Sequence, residues 1–311
     1  MRHRDEADVA GLADTEQAWD VRHRPARSQV LPPVDAPLTL EFCVMLPQTG
    51  APRGALAVNE RWKDHFEHDI SFHRRTATIY DHVNTEPRLL ANDLLFTPLD
   101  RRVAPGDAML DLGCGTGQML RRYAARFRRA IGVDHSGEML ALARERVPEV
   151  AEGRCTLVQS DFFDYLETCR DAFALVTCVG CLHHLPVEAF DVFFARVRAH
   201  LPPGGQLLLA EPVDTQGRSP PAAVSRWNAR SVMATRAALM PMEESDEAPI
   251  REDVLLGKPR AFGFERVVVS RGWELFQHAV PATVLDRVAM RWLHARFGSD
   301  GNVVAALWRA V

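Results

Sequence analysis

Three acids stand close to short apolar runs in this chain, and each is a residue type that could hold a polar ligand: Asp111 in LDLGCGTG (110–117), Asp134 closing AIGVD, and Asp161 in QSDFF. Glycines at 113, 115 and 117 follow the first acid, and a glycine turn lets a ligand approach the backbone closely. A dinucleotide fingerprint needs its third glycine at position 118, which is Gln118, and no Lys-Ser/Thr pair follows to make a phosphate loop. An acid two residues before the turn repels a pyrophosphate and attracts a ligand that is at least partly cationic.

The other two acids extend that ligand. An Asp at the carboxyl edge of the neighbouring strand suits both hydroxyls of a ribose, so Asp134 is expected there. Asp161 is expected to accept from an adenine amino group, with Phe162 covering the ring. Amine, ribose and adenine in that order describe S-adenosylmethionine (SAM). Cys114, His135, Met139 and Cys178 are expected to line the same ligand.

On the acceptor side the chemistry-bearing stretch is CVGCLHHLP (178–186), which carries His183 and His184. A histidine near neutral pKa is the commonest general base for an alcohol or phenol. His184 is the first choice for that role, with simple packing of the loop as the alternative reading. Glu211, closing LLLAEP, could bind an acceptor hydroxyl, orient a histidine, or pair with an arginine. In SRWNARSVMATR the spacing puts Arg226 and Arg230 at i, i+4 on one helix face beside Trp227, a set suited to a sugar, phosphate or carboxylate. All but two of the 37 basic residues are arginine, so chance pairing is an equal explanation. Cys178 and Cys181 form a CxxC without a second pair at zinc-finger spacing and are expected as free packing thiols, with no metal bound.

These residues need elements to position them. Residues 1–55 are rich in Pro, Ala, Arg and Asp and read as an extended or disordered arm, with LTLEFCVML (38–46) able to dock as a strand or a dimer contact. Residues 56–100 read as helices, with Trp62, Phe66 and Ile70 recurring at fours. From 101 to 213 short strands and helices alternate, which predicts a parallel sheet covered by helices. Residues 214–260 interrupt that alternation as a substrate cap, and 261–311 supply the last strands and a helix.

Composition bounds the rest. With 47% hydrophobic and 25% charged residues the chain reads as a globular enzyme, and a net charge of −4 without a basic block gives no nucleic-acid footprint. No stretch approaches the ~20 apolar residues of a membrane span, and the N-terminus lacks a signal-peptide core. Six scattered cysteines fit free thiols in a reducing compartment, so a cytoplasmic protein is expected.

LDLGCGTG, GVDHSGEML, QSDFFD, FALVTCVGCLHHLP and LPPGGQLLLAEP together resemble the class I SAM-dependent methyltransferases in order and approximate spacing, over roughly residues 80–212. The resemblance implies an α/β Rossmann-like fold with a seven-stranded, mostly parallel sheet of order 3-2-1-4-5-7-6, N-terminal helices and a helical cap insertion. It also implies Gly113 to Gly117 against the methionine part of SAM, and Tyr80 in TIYD (78–81) touching its carboxylate. No Asn/Asp-Pro-Pro-Tyr/Phe follows the fourth strand and no oxygen cluster for Mg²⁺ is evident, which leaves a metal-free transfer to a small molecule. The expectation is O-methylation of a polar, glycosylated or lipid/glycan acceptor in specialised metabolism. C- or N-methylation and a catalytically silent binding subunit are the alternatives, and a homodimer through the N-terminal arm is considered.

Overall fold

The computed structural model describes residues 89–231, 249–275, 278 and 282–311. The expected arm over 1–55, the helices before Leu89, Tyr80 and the acidic stretch 242–247 lie outside the described residues. In chain order the elements are α1 (Leu89–Asp100), β1 (Gly106–Leu112), α2 (Gln118–Tyr123), β2 (Phe127–Asp134), α3 (Gly137–Arg146), α4 (Pro148–Ala151), β3 (Cys155–Gln159), α5 (Phe162–Thr168) and β4 (Leu175–Val179). There follow α6 (Phe190–Ala199), β5 (Gln206–Asp214), α7 (Ala222–Asn228), β6 (Ile250–Arg251), α8 (Glu252–Gly257), β7 (Phe264–Gly272), α9 (Val284–Phe297) and β8 (Val303–Ala310).

The strands form one sheet of order β3-β2-β1-β4-β5-β8-β7, with the two-residue β6 paired beside β5. Strands β1 to β5 pair in parallel, while β8 runs antiparallel to both β5 and β7. With β6 set aside this is the expected seven-strand order; β6 adds an eighth strand that two residues of sequence do not announce.

Strands buried on both faces read as unbroken apolar runs, and side-chain alternation splits each run between two cores. In β1, Ala108, Leu110 and Leu112 enter one core while Met109 enters the other; in β5, Leu207 and Leu209 oppose Leu208 and Ala210; in β8, Ala306 and Trp308 oppose Ala305 and Leu307. The same alternation sends Asp111 and Thr177, paired across β1 and β4, to the Met109 face, and sends Glu211 to the Leu209 face. A third, smaller core joins Val224 of α7 to Trp273, Leu275, Met290 and Leu293.

One local expectation changes. The helix through SRWNARSVMATR ends at Asn228, so Arg226 and Arg230 do not share a helix face. Strand β3 ends at Gln159, and Asp161 is the N-cap of α5, its carboxylate accepting from the amides of Phe163 and Asp164. Val187 lies in a short 3-10 turn ahead of α6 and is 51% exposed.

Candidate functional site

The sheet's carboxyl edge opens into a cleft lined by Gly113, Gly115, Asp134, His135, Met139, Ser160, Asp161 and Phe162 on one side and by Val179, Gly180, Cys181, His184 and Leu185 on the other. The first group comes from the turns after β1, β2 and β3, the second from the turn after β4. This is where ligands bind in open α/β sheets.

All three glycines of the turn have left-handed φ: 64° at Gly113, 50° at Gly115 and 84° at Gly117. Their roles differ. A methyl group at Gly117 would come within 2.5 Å of Val147 Cγ2, so this glycine lets α2 pack beside α3, away from the cleft. A methyl at Gly113 would stand 3.0 Å from Cys181 Cβ, where the first turn meets the β4 loop. A methyl at Gly115 would meet no atom within 4 Å among the described residues, so its open face is the part of the backbone that a ligand can reach.

Asp134 holds this turn. Its Oδ2 accepts from the Gly115 amide at 2.8 Å and its Oδ1 from the Ser136 amide at 2.8 Å. Each carboxylate oxygen retains a further lone pair, so the same group can accept from a diol. Asp161 commits only Oδ1 to the α5 cap, at 2.7 Å from Phe163 N and 3.2 Å from Asp164 N, and its Oδ2 makes no hydrogen bond among the described residues. Burial raises its pKa above the ordinary carboxylate value, against the two cap amides. Phe162 lies edge-on to Phe193, with ring centroids 5.9 Å apart, which fixes its ring at the cleft wall. Met139 is buried under the α3 N-terminus, its amide capped by Ser136 Oγ. An open glycine face, two acids with acceptor capacity and an apolar ring fit a ligand with an amine, a ribose and a purine.

Asp111 is not a cleft residue. It is 2% exposed beneath the turn, where Thr177 Oγ1 donates to its Oδ1 at 2.6 Å while Oδ2 finds no hydrogen-bond partner among the described residues. Burial is the main cause that pushes its pKa up to about 7; the Thr177 hydroxyl opposes this, the Asp134 charge adds to it, and the Leu120 amide opposes it weakly. Cys114 is also buried, in the core under α2, and burial pushes its thiol pKa well up.

On the acceptor side Glu211 is fully buried and acts on the β4 loop. Its Oε1 accepts from the amides of Cys181 at 3.2 Å and Leu182 at 2.9 Å, and its Oε2 meets His183 Nδ1 at 2.8 Å. Of the three readings open from sequence, orienting a histidine is the one this geometry matches. His183 lies against His184, ring centroids 4.1 Å apart and planes tilted by 37°, and His184 is the one that lines the cleft.

Two expectations change here. Cys178 does not line the cleft: it is fully buried in the core and bonded through sulfur to Cys181, so the CxxC is a disulfide rather than two packing thiols. Trp227 stacks on His278 at 3.8 Å and packs against the Trp273 core, which makes it part of the cap's interior. Arg226 and Arg230 are exposed and make no ion pair among the described residues. Gly180, Cys181 and Ser160 went unnoticed as site residues; the one legible signal was Gly180, a glycine between apolar strand and histidines whose φ is 66°.

Residues 109–205 match the family described as "Methyltransferase domain". Over 115 residues, 37% of this chain, the sequence is 35% identical to a probable fatty acid methyltransferase of Mycobacterium tuberculosis, of which it spans 26%. Over 117 residues it is 37% identical to a dTDP-3-amino-3,6-dideoxy-alpha-D-glucopyranose N,N-dimethyltransferase of Streptomyces fradiae, spanning 43% of that protein. In fold the chain is similar to a DhpI–SAH complex, with TM-score 0.53 at 18% identity over 78% of this chain and 96% of that one. Strands β1 to β4 and the turns that build the cleft fall almost wholly within the matched segment, so this part of the chain is a methyltransferase domain of the class I SAM-dependent kind.

Proposed function

We propose that the protein is a SAM-dependent methyltransferase that methylates a hydroxyl of a polar small molecule, such as a glycosylated metabolite or a lipid/glycan intermediate, without a metal. The observation that carries this reading is that the glycine face, Asp134 and Asp161 share one cleft with His184, on a loop fastened by Glu211. SAM held there supplies an electrophilic methyl on a sulfonium that leaves as a neutral thioether. The chain's own work is to position and to move a proton. Asp134 and Asp161 orient the donor, Phe162 covers its ring, and Leu185 and Val179 keep water from the reacting line. His184 takes the acceptor proton, with His183 packed behind it and held by Glu211.

N-methylation is the second reading. It is supported by the likeness to the amino-sugar N,N-dimethyltransferase, which extends over 117 residues, 37% of this chain.

Turnover on an acceptor panel, with product mass and bond position read out, separates the two. For a hydroxyl acceptor His184→Ala lowers turnover by ~10²–10⁴-fold, the usual worth of a positioned base, while SAM affinity holds. Chelator leaves turnover unchanged. Parent-like turnover in His184→Ala would transfer the reading to an amine acceptor.

A further inference from the structure

The CVGC stretch joins the two walls of the cleft. Cys181 lines the cleft and is half-buried, whereas its disulfide partner Cys178 has no exposure. Their Cα atoms are 6.3 Å apart, within the span a disulfide bridges without moving the backbone. Gly180, in the left-handed region, makes the turn between them. Cys181 Sγ also lies 3.4 Å from the Leu112 carbonyl, a place where a thiol would donate a hydrogen bond, so the sulfur has a partner in either oxidation state. Cys181 Cβ abuts Gly113 of the donor turn, and the Cys181 and Leu182 amides are tied to Glu211, which holds His183.

We propose that Cys178 and Cys181 are a redox site that exchanges with low-molecular-weight disulfides and dithiols at Cys181, and that its state sets the His183–His184 loop. Oxidation runs in two displacements. The Cys181 thiolate attacks one sulfur of a small disulfide such as oxidised glutathione, forming a mixed disulfide and expelling one thiolate, which takes up the proton that Cys181 lost. Cys178, once deprotonated, attacks the Cys181 sulfur and expels the second thiol, which takes up that proton. Two protein thiols are oxidised to one disulfide, and the small disulfide is reduced to two thiols. Reduction by a dithiol reverses the sequence, and Cys181 is the sulfur attacked because it is the one reached from the cleft. Reduction releases the Gly180 turn from the sulfur link and leaves the loop held by hydrogen bonds, from the Cys181 and Leu182 amides to Glu211, from the Gly180 amide to the Ala210 carbonyl and from the Cys181 thiol to the Leu112 carbonyl.

The test uses the full chain equilibrated with oxidised glutathione or with dithiothreitol. Peptide mass mapping after alkylation should find the 178–181 peptide two hydrogens lighter and unlabelled in the first sample, and doubly labelled in the second. The His183 and His184 Cε1–H resonances should shift between the two samples, a readout that needs no cofactor. S-adenosylhomocysteine (SAH) should slow labelling of Cys181 in reduced protein and bind about fivefold or more weakly than to oxidised protein, the low end of ordinary coupling between sites. These last two results rest on the proposed donor site; the peptide map and the resonances do not. Cys181→Ser and, because Cys178 is in the core, the more conservative Cys178→Ala should each abolish the resonance shift. Full alkylation of both thiols in the glutathione-oxidised sample would overturn the site, and unchanged resonances would overturn its control of the loop. Stoichiometric zinc retained by reduced protein and lost in Cys181→Ser would overturn it in favour of a metal centre built with Glu211, whose carboxylate lies within 4.8 Å of both sulfurs.

Discussion

Asp111 lies beneath the site with both carboxylate oxygens buried and only one of them hydrogen-bonded among the described residues. With its pKa pushed up to about 7, the folded chain keeps a proton that the unfolded chain, near the ordinary ~3.9, has already released. Between those values the folded state binds more protons than the unfolded, so stability falls as pH rises from about 4 to about 7 and levels above that. Urea unfolding of the ligand-free protein at about pH 5 and about pH 8 should show this decline. Asp111→Asn keeps an oxygen for the Thr177 hydroxyl and removes the charge, so the part of the slope due to Asp111 should disappear. A slope equal to the parent's in Asp111→Asn assigns it to other groups. This residue also shows what residue types alone reveal. LDLGCGTG marks an acid beside a turn, but whether that acid faces the ligand or lies beneath it depends on the β1–β4 register, which pairs Asp111 with Thr177 and turns both to the inner face. Asp134 was legible because it closes a strand, where side chains from adjoining turns converge.

At the scale of elements, the β4 loop is held by one side chain from β5. Glu211→Ala removes the acceptor of two amides and of His183 Nδ1, and buried groups left without partners cost about 1–3 kcal/mol each. The melting temperature should fall by many degrees. Glu211→Gln separates stability from chemistry: its carbonyl still accepts from the amides, but its NH₂ now donates toward His183 Nδ1, leaving the ring's N–H on Nε2. The fold should survive while turnover drops and its pH profile changes. Gln at 211 with the parent's turnover and profile would remove His183 and Glu211 from the proton path. Element limits were readable where a chain signal exists: Ser136 caps α3, and apolar runs give β1, β2, β5 and β8 to within a few residues. They were not readable where tertiary packing decides. The cap helix α7 stops at Asn228, whose side chain bonds the Glu274 carbonyl while Trp227 stacks on His278, and neither partner is visible in the local sequence.

For the whole molecule, the cleft stands where the turns after β1, β2, β3 and β4 meet, so a ligand that bridges them ties the centre of the sheet together. A ligand bound only by the folded state adds about 2.7 kcal/mol at a hundredfold excess over its Kd. For a domain of 150–250 residues each kcal/mol raises Tm by ~2–4 °C. SAH at that excess should therefore raise the melting temperature by roughly 5–11 °C in a single cooperative transition. Asp134→Ala should lose most of this shift and also start from a lower Tm, because the Gly115 and Ser136 amides lose their acceptor and the turn loses its shape before any ligand arrives. No helix among the described residues is long and apolar enough to cross a membrane. NAD under the same conditions should give no shift, since the acid-lined turn with Gln118 at the third glycine position offers a pyrophosphate repulsion rather than a cradle. A shift with NAD and none with SAH would reverse the assignment of the turn, and with it the donor half of the proposed function.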